Sequence, residues 1–305
     1  MSIESPWCAA RAGSRIDRAA RVRRAPGFDR VLCFRGPTKP DRLSTFAYET
    51  EGSAHRRQPD HPSKIMSVSA NNLQGVRQRI RAAVEAAQRD SGTVTLIAVS
   101  KTFPAEAVVD AMRDDQGQFG ENYVQEALDK MDRVAALRPA GAPSPTWHFI
   151  GPIQSNKTRP IATRFDWVHS VDRLKIAERL SAQRDPALAP LNVLIEVNLD
   201  GEGSKSGVAP DAVATLARAI VGLPRLALRG LMTVPMPRAD VGEQRAVFAR
   251  LRALAEDLRA AGLPCEHLSM GMSADLEAAI AEGATMVRVG TAIFGARTAP
   301  VREAA

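Results

Sequence analysis

Residues 94 to 103 read V-T-L-I-A-V-S-K-T-F, and the fold turns on them. From Val94 to Val99 the run is almost continuously apolar and β-branched, the pattern of a strand covered on both faces. Pro104 follows, with no N–H for a further ladder bond and a ring suited to the first turn of a helix. Lys101 therefore sits at the C-terminal mouth of a buried strand, where α/β folds place their chemistry. An ordinary solvated lysine at a strand end fits the same ten residues.

Working outward, residues 71–89 carry Leu73, Val76, Ile80 and Val84 as one apolar stripe among arginines, which predicts a helix before the strand. After Pro104 the chain repeats one unit. Predicted strands fall at 118–120, 147–150, 166–169, 191–197, 226–232, 265–269 and 286–289. Helices fall at 104–114, 123–137, 156–163, 172–183, 211–221, 242–261 and 273–281. Eight strands alternating with helices in about 200 residues mean a mostly parallel sheet. Eight units favour the α/β class in its (β/α)8 form, a TIM-type barrel whose mouth gathers the loops after each strand. A doubly wound open sheet is the runner-up, although no G-x-G-x-x-G follows the first strand.

Ahead of this region lie 65 residues of different character. The whole chain carries a net charge of +7, and residues 1–65 hold 13 Lys/Arg against 7 Asp/Glu, so the remainder is close to neutral. The excess belongs to the leader and does not indicate a nucleic-acid-binding face. Residues 1–65 show neither helical nor strand periodicity and read as a disordered basic leader. They have no apolar core of a signal peptide, and Asp17, Asp29 and Asp41 sit badly in a targeting peptide. Translation starting at Met66 explains the break equally well. The expected division is 1–65 as leader or start-site extension and 66–305 as the barrel. No apolar run is long enough for a membrane-spanning helix. Cys8, Cys33 and Cys265 have no ligand spacing, which points to a reducing, cytoplasmic setting.

On the barrel reading, Lys101, Asn122, Ser170, Lys205, Ser273 and Arg288 converge at the mouth, together with Gly290 and Thr291. Ser273 and the N–H groups of Gly290 and Thr291 suit an anion, and barrels commonly bind phosphate after strands seven and eight. Ser273 as a plain N-cap, Gly290 as a plain strand terminator and Arg288 in a plain ion pair are the bland readings. A lysine facing a phosphate cradle suits an aldehyde cofactor with a phosphate tail, such as pyridoxal 5'-phosphate. Arg288 beside the pyridine nitrogen would disfavour its protonation.

The motifs extend this reading. A-V-S-K-T around Lys101, F-G-E-N-Y-V-Q-E from Phe119, W-H-F-I-G-P-I-Q-S-N-K from Trp147, H-S-V-D-R from His169, S-K-S-G from Ser204, G-L-M from Gly230, L-S-M-G-M-S-A-D from Leu268 and V-R-V-G-T-A-I-F-G-A-R from Val287 resemble the pyridoxal phosphate homeostasis proteins, over about 66–297. The resemblance implies a barrel like the N-terminal domain of alanine racemase. It implies Lys101 as the Schiff-base lysine, Ser273, Gly290 and Thr291 at the phosphate, Arg288 at the ring nitrogen, and Asn122 and Met232 near the ring. Phe103 departs from it, standing where many relatives carry a lysine.

The implied role is a carrier that binds, buffers and supplies pyridoxal phosphate, with effects on amino-acid and keto-acid balance and with apo enzymes as recipients. Racemisation needs acid–base groups on both faces of the cofactor. Alanine racemases take the opposing tyrosine from a further domain of a partner subunit, and the sequence runs only to residue 305. The expectation is therefore a monomeric carrier without dedicated turnover. A weak amino-acid racemase or a lyase is the alternative.

Overall fold

A computed structural model describes residues 68–203 and 206–296. The predicted leader, Lys205 and the segment from residue 297 lie outside the described residues.

Eight parallel strands close on themselves in sequence order. They are β1 (Thr95–Val99), β2 (Gln118–Glu121), β3 (Thr146–Phe149), β4 (Trp167–Val171), β5 (Leu191–Glu196), β6 (Leu226–Met232), β7 (His267–Ser269) and β8 (Met286–Val289). The closing seam pairs β1 with β8 in parallel over four residues, from Thr95 opposite Met286 to Ala98 opposite Val289. That pairing decides for the barrel over the open sheet. Outside run α1 (Val68–Ala86), α2 (Ala105–Arg113), α3 (Val124–Leu137), α4 (Thr158–Arg164), α5 (Leu174–Gln183), α6 (Val213–Val221), α7 (Val241–Ala260), α8 (Leu276–Ala281) and the short α9 (Thr291–Phe294).

Period-two alternation sorts the strand residues into two cores. On β1, Leu96 and Ala98 join the large cluster under the helices, while Ile97 packs with Leu194, Met232 and Met286 inside the barrel, flanked by Trp167. Residues 97 and 99 of β1 thus face the axis, and the same parity carries Lys101 over the barrel mouth. On β8 the parity runs through Met286 to Arg288. Gly120 shares the interior because a Cβ there would lie 3.0 Å from Cγ2 of Ile97.

Element bounds differ from the sequence reading by a few residues, and two of the differences matter. Strand β4 extends to Val171, so Ser170 lies within it and its Oγ donates to the carbonyl of Gly151 at 2.5 Å. The helix expected from Ser273 begins at Leu276 instead. Asp275 is the reason: its Oδ1 accepts from the Met272 N–H at 2.6 Å and folds 272–275 into a turn. Ser273 therefore caps no helix and is left facing the mouth.

Candidate functional site

A cavity of about 360 Å³ opens at the C-terminal end of the strands. It is lined by Lys101, Phe103, Asn122, Ser273, Arg288 and Thr291, with Val99, Ile150, Val234, Met272, Ala274 and Gly290 completing the wall. Six of the seven residues that the resemblance assigns to the cofactor are thereby gathered into one space. Met232 is not among them. At 1% exposure it is packed among Ile97, Leu194 and Met286 in the barrel interior, and Val234, two residues on, reaches the cavity. A larger hollow of about 840 Å³ lies between α1 and the opposite ends of β1 and β2, lined by Arg77, Arg81, Arg89 and Gln118 among others. It contains none of the named residues, and chemistry in such barrels belongs to the other face.

The wall adjoining Lys101, built by the loops after β7 and β8, is rich in hydrogen-bond donors. Among the described residues, the backbone N–H groups of Ser273, Ala274, Gly290 and Thr291 donate to no backbone carbonyl. Two glycines bring these loops close. Gly271 has φ +93°, and a Cβ there would lie 2.6 Å from Cβ of Ala279, so the turn carrying Ser273 can sit against α8. Gly151 passes so near the backbone of Asn122 that a Cβ would lie 2.3 Å from its carbonyl oxygen. The Oδ1 of Asn122 is buried without a hydrogen-bond partner. Such a group normally has one, so a bound molecule is the natural complement.

Arg288 is fully enclosed. Its Nη1 donates to Oγ of Ser269 at 2.6 Å and its Nη2 to the carbonyl of Thr233 at 2.9 Å. The anchors are thus neutral acceptors, where the bland reading expected an ion pair. Burial lowers its pKa to about 10, offset by Asp275 and Glu196, so the guanidinium keeps its charge at neutral pH. At the end of β5, burial and then the nearby Asp172 push Glu196 up to about 7, with Arg288 opposing.

Behind Lys101 lies a buried cluster. The Nζ of Lys130, on α3, donates to the carbonyl of Ser100 at 2.6 Å, to Glu121 Oε1 at 2.7 Å and to Glu126 Oε1 at 2.8 Å. Ser100 Oγ donates to the same Glu121 oxygen at 2.7 Å, and the Thr102 N–H donates to Glu126 at 2.5 Å. Both neighbours of Lys101 in the chain are therefore tied to one ammonium and its two carboxylates. Thr102 is held at φ +69°, a conformation a β-branched residue adopts only under such restraint. Glu121, Lys130 and Glu126 escaped the sequence reading. Their signal was the i, i+4 spacing of Glu126 and Lys130, which reads equally well as a solvated pair.

The alanine racemase N-terminal domain model matches residues 72–298. A pyridoxal phosphate homeostasis protein of Pseudomonas aeruginosa is 59% identical over 232 residues, covering 76% of this chain and 97% of the relative. The chain belongs to the pyridoxal phosphate homeostasis protein family. The Escherichia coli K12 member is 49% identical, over 76% of this chain and 98% of that one. PipY of Synechococcus elongatus, solved with PLP bound, superposes with a TM-score of 0.64 at 37% identity, covering 74% of this chain and all of PipY. Family membership agrees with the barrel and with the cavity at its mouth. Among the described residues, no helix is long and apolar enough to cross a membrane.

Proposed function

We propose that this protein binds pyridoxal 5'-phosphate at the barrel mouth and acts in its homeostasis, holding, buffering and supplying the cofactor. The observation that carries the reading is the gathering, in one cavity, of Lys101 with the adjoining donor wall of Ser273, Gly290 and Thr291 and with Arg288. The cofactor supplies a reactive aldehyde and an anionic phosphate. Lys101 offers the amine that holds the aldehyde. The hydroxyls of Ser273 and Thr291, with the N–H groups of that wall, hold the phosphate. Arg288 presents a charged guanidinium to the ring nitrogen and keeps protons from it, which weakens the electron sink that turnover needs. Asn122 Oδ1 gains a partner at the ring. Relatives at 59% and 49% identity that are named for this role, and the PLP-bound structure of PipY, support the reading.

Carriage without dedicated turnover is the second half of the proposal. Racemisation requires an acid and a base on opposite faces of the ring. Among the described residues lining the cavity, the ionisable side chains are Lys101 and Arg288. Tyr123, the tyrosine nearest in sequence, is half exposed and lines no part of it. The role implies a cytoplasmic monomer that passes the cofactor to apo enzymes. Stopped-flow transfer to an apo enzyme tests this: transfer faster than spontaneous release supports supply, and sustained conversion of amino acids by the loaded protein overturns the carrier reading.

Two further outcomes follow at this site. Ser273→Ala and Thr291→Ala are each expected to weaken cofactor affinity by about 1–2 kcal/mol, the worth of one hydrogen bond to a charged group. Titration with pyridoxal and with its phosphate ester checks the cause, since equal wild-type affinities would rule out a phosphate cradle. We also propose that residues 66–305 form the binding unit. Helix α1 begins at Val68 and the family match at residue 72. A chain beginning at Met66 is expected to fold and bind as tightly as the full one, and lost binding would make the leader part of the site.

A further inference from the structure

Two motif histidines have no part in the reading above. His148 on β3 and His169 on β4 are buried in the barrel interior, and they connect. His148 Nε2 lies 2.7 Å from Gln118 Oε1, and His148 Nδ1 lies 2.9 Å from His169 Nε2. His169 Nδ1 lies 2.8 Å from Ser269 Oγ, which also accepts from Arg288 Nη1 at 2.6 Å. Five strands contribute to one unbroken chain, from Gln118 at the base of β2 to the guanidinium of Arg288 on β8 in the cavity wall. Trp167 stacks on His148 at 5.7 Å between ring centroids and meets His169 edge-on at 6.2 Å.

Hydrogen-bond chemistry gives the chain a direction. Gln118 Oε1 only accepts, so His148 Nε2 carries the proton. Both rings are neutral: burial lowers the His148 pKa to about 3, and burial together with the neighbouring His148 and Arg288 holds His169 well below its usual value. His148 Nδ1 is then an acceptor, and His169 Nε2 must donate to it. His169 Nδ1 accepts in turn, from the Ser269 hydroxyl. That leaves the Ser269 oxygen lone pairs turned to Arg288.

We infer that Ser269, His169 and His148 are positioning residues for Arg288, forming one directed hydrogen-bond chain along the barrel that fixes the guanidinium in the cavity wall. A core filler would need only matching volume. This arrangement requires one tautomer at each ring and one orientation of one hydroxyl. Thr233 holds the other guanidinium nitrogen, so the two anchors together set the plane of the group. The link from Arg288 to a cofactor ring rests on the proposed function, whereas the chain itself does not.

The test begins with the full chain free of cofactor, its histidines labelled with nitrogen-15. His148 and His169 are both expected as neutral Nε2–H tautomers at pH 7. An Nδ1–H tautomer or a charged ring at either position overturns the direction of the chain. Ser269→Ala is then expected to loosen the guanidinium, so that Arg288 rotates measurably faster than in the wild type, with the Thr233 carbonyl as its remaining anchor. Loaded with pyridoxal phosphate, the same variant is expected to shift its visible band. Ser269→Thr, which keeps the hydroxyl, is expected to restore both. Affinity for inorganic phosphate should stay within about twofold in either variant, because the cradle is built from other residues. Unchanged Arg288 rotation in Ser269→Ala overturns the inference. A wild type that binds neither the cofactor nor phosphate overturns the proposed function, and the tautomer and rotation measurements still decide on the chain.

Discussion

Lys101→Ala is expected to yield a folded protein that shows no visible absorbance band after incubation with pyridoxal phosphate. An imine conjugated with the pyridine ring absorbs where the polypeptide does not, so the band reports the covalent link. Lys101 sits in the turn after β1, and its loss removes no core residue, so the fold should change in stability by no more than about 1 kcal/mol. The donor wall of Ser273, Gly290 and Thr291 is left in place, and some cofactor should still bind without covalent attachment. Borohydride reduction of the wild type should fix one cofactor per chain, mapped to the peptide containing Lys101. The rivals are Lys157, which lies in the turn after β3 and outside the cavity lining, and Lys205, outside the described residues. Label on either with Lys101 spared defeats the assignment. No label on any lysine, with no phosphate binding, defeats the cofactor reading as a whole.

That Lys101 and Arg288 could be placed from sequence has a simple cause. Each lies on or directly after a short, strongly apolar strand, where period-two alternation fixes the facing of every residue. The same rule puts Met232 on the axis. There it packs with Ile97, Leu194 and Met286 and does not line the cavity, a packing partnership across strands that no single strand reveals. Serine before an apolar helix commonly caps it, which is the bland reading of Ser273, yet Asp275 takes the turn and leaves Ser273 in the cavity lining. The histidine chain was not legible, since its members come from five strands and one contact joins residues 100 apart in sequence. The Lys130 cluster was hidden differently. A lysine on an amphipathic helix reads as solvated until the helix is docked and Glu121 is seen beneath it.

Breaking that cluster should give the largest effect away from the cavity. Lys130→Met keeps the length of the side chain but leaves Glu121 and Glu126 without their ammonium, Glu121 being fully buried. Removing one partner of a buried ion pair costs about 3–5 kcal/mol, because the remaining charge stays out of water. For a domain of this size the melting temperature should fall by on the order of 10 °C. The pH dependence has a definite sign. Burial already raises the Glu121 pKa, with Lys130 opposing it, so the variant raises it further. A carboxyl whose pKa is higher in the folded state favours folding when protonated. The variant should therefore come nearest to wild-type stability in acid, and its deficit should grow as pH rises from the usual carboxylate range through the raised value. Glu121→Gln added to Lys130→Met removes the stranded charge and should recover much of the stability. It should not recover function, because the tie from the Lys130 ammonium to the Ser100 carbonyl is still gone. The double variant is then expected to bind inorganic phosphate normally and to form the visible band more slowly than wild type. Thermal melts across pH together with stopped-flow absorbance separate the two effects. A double variant that develops the band at the wild-type rate would show that the cluster supports the fold alone and does not hold Lys101 in place.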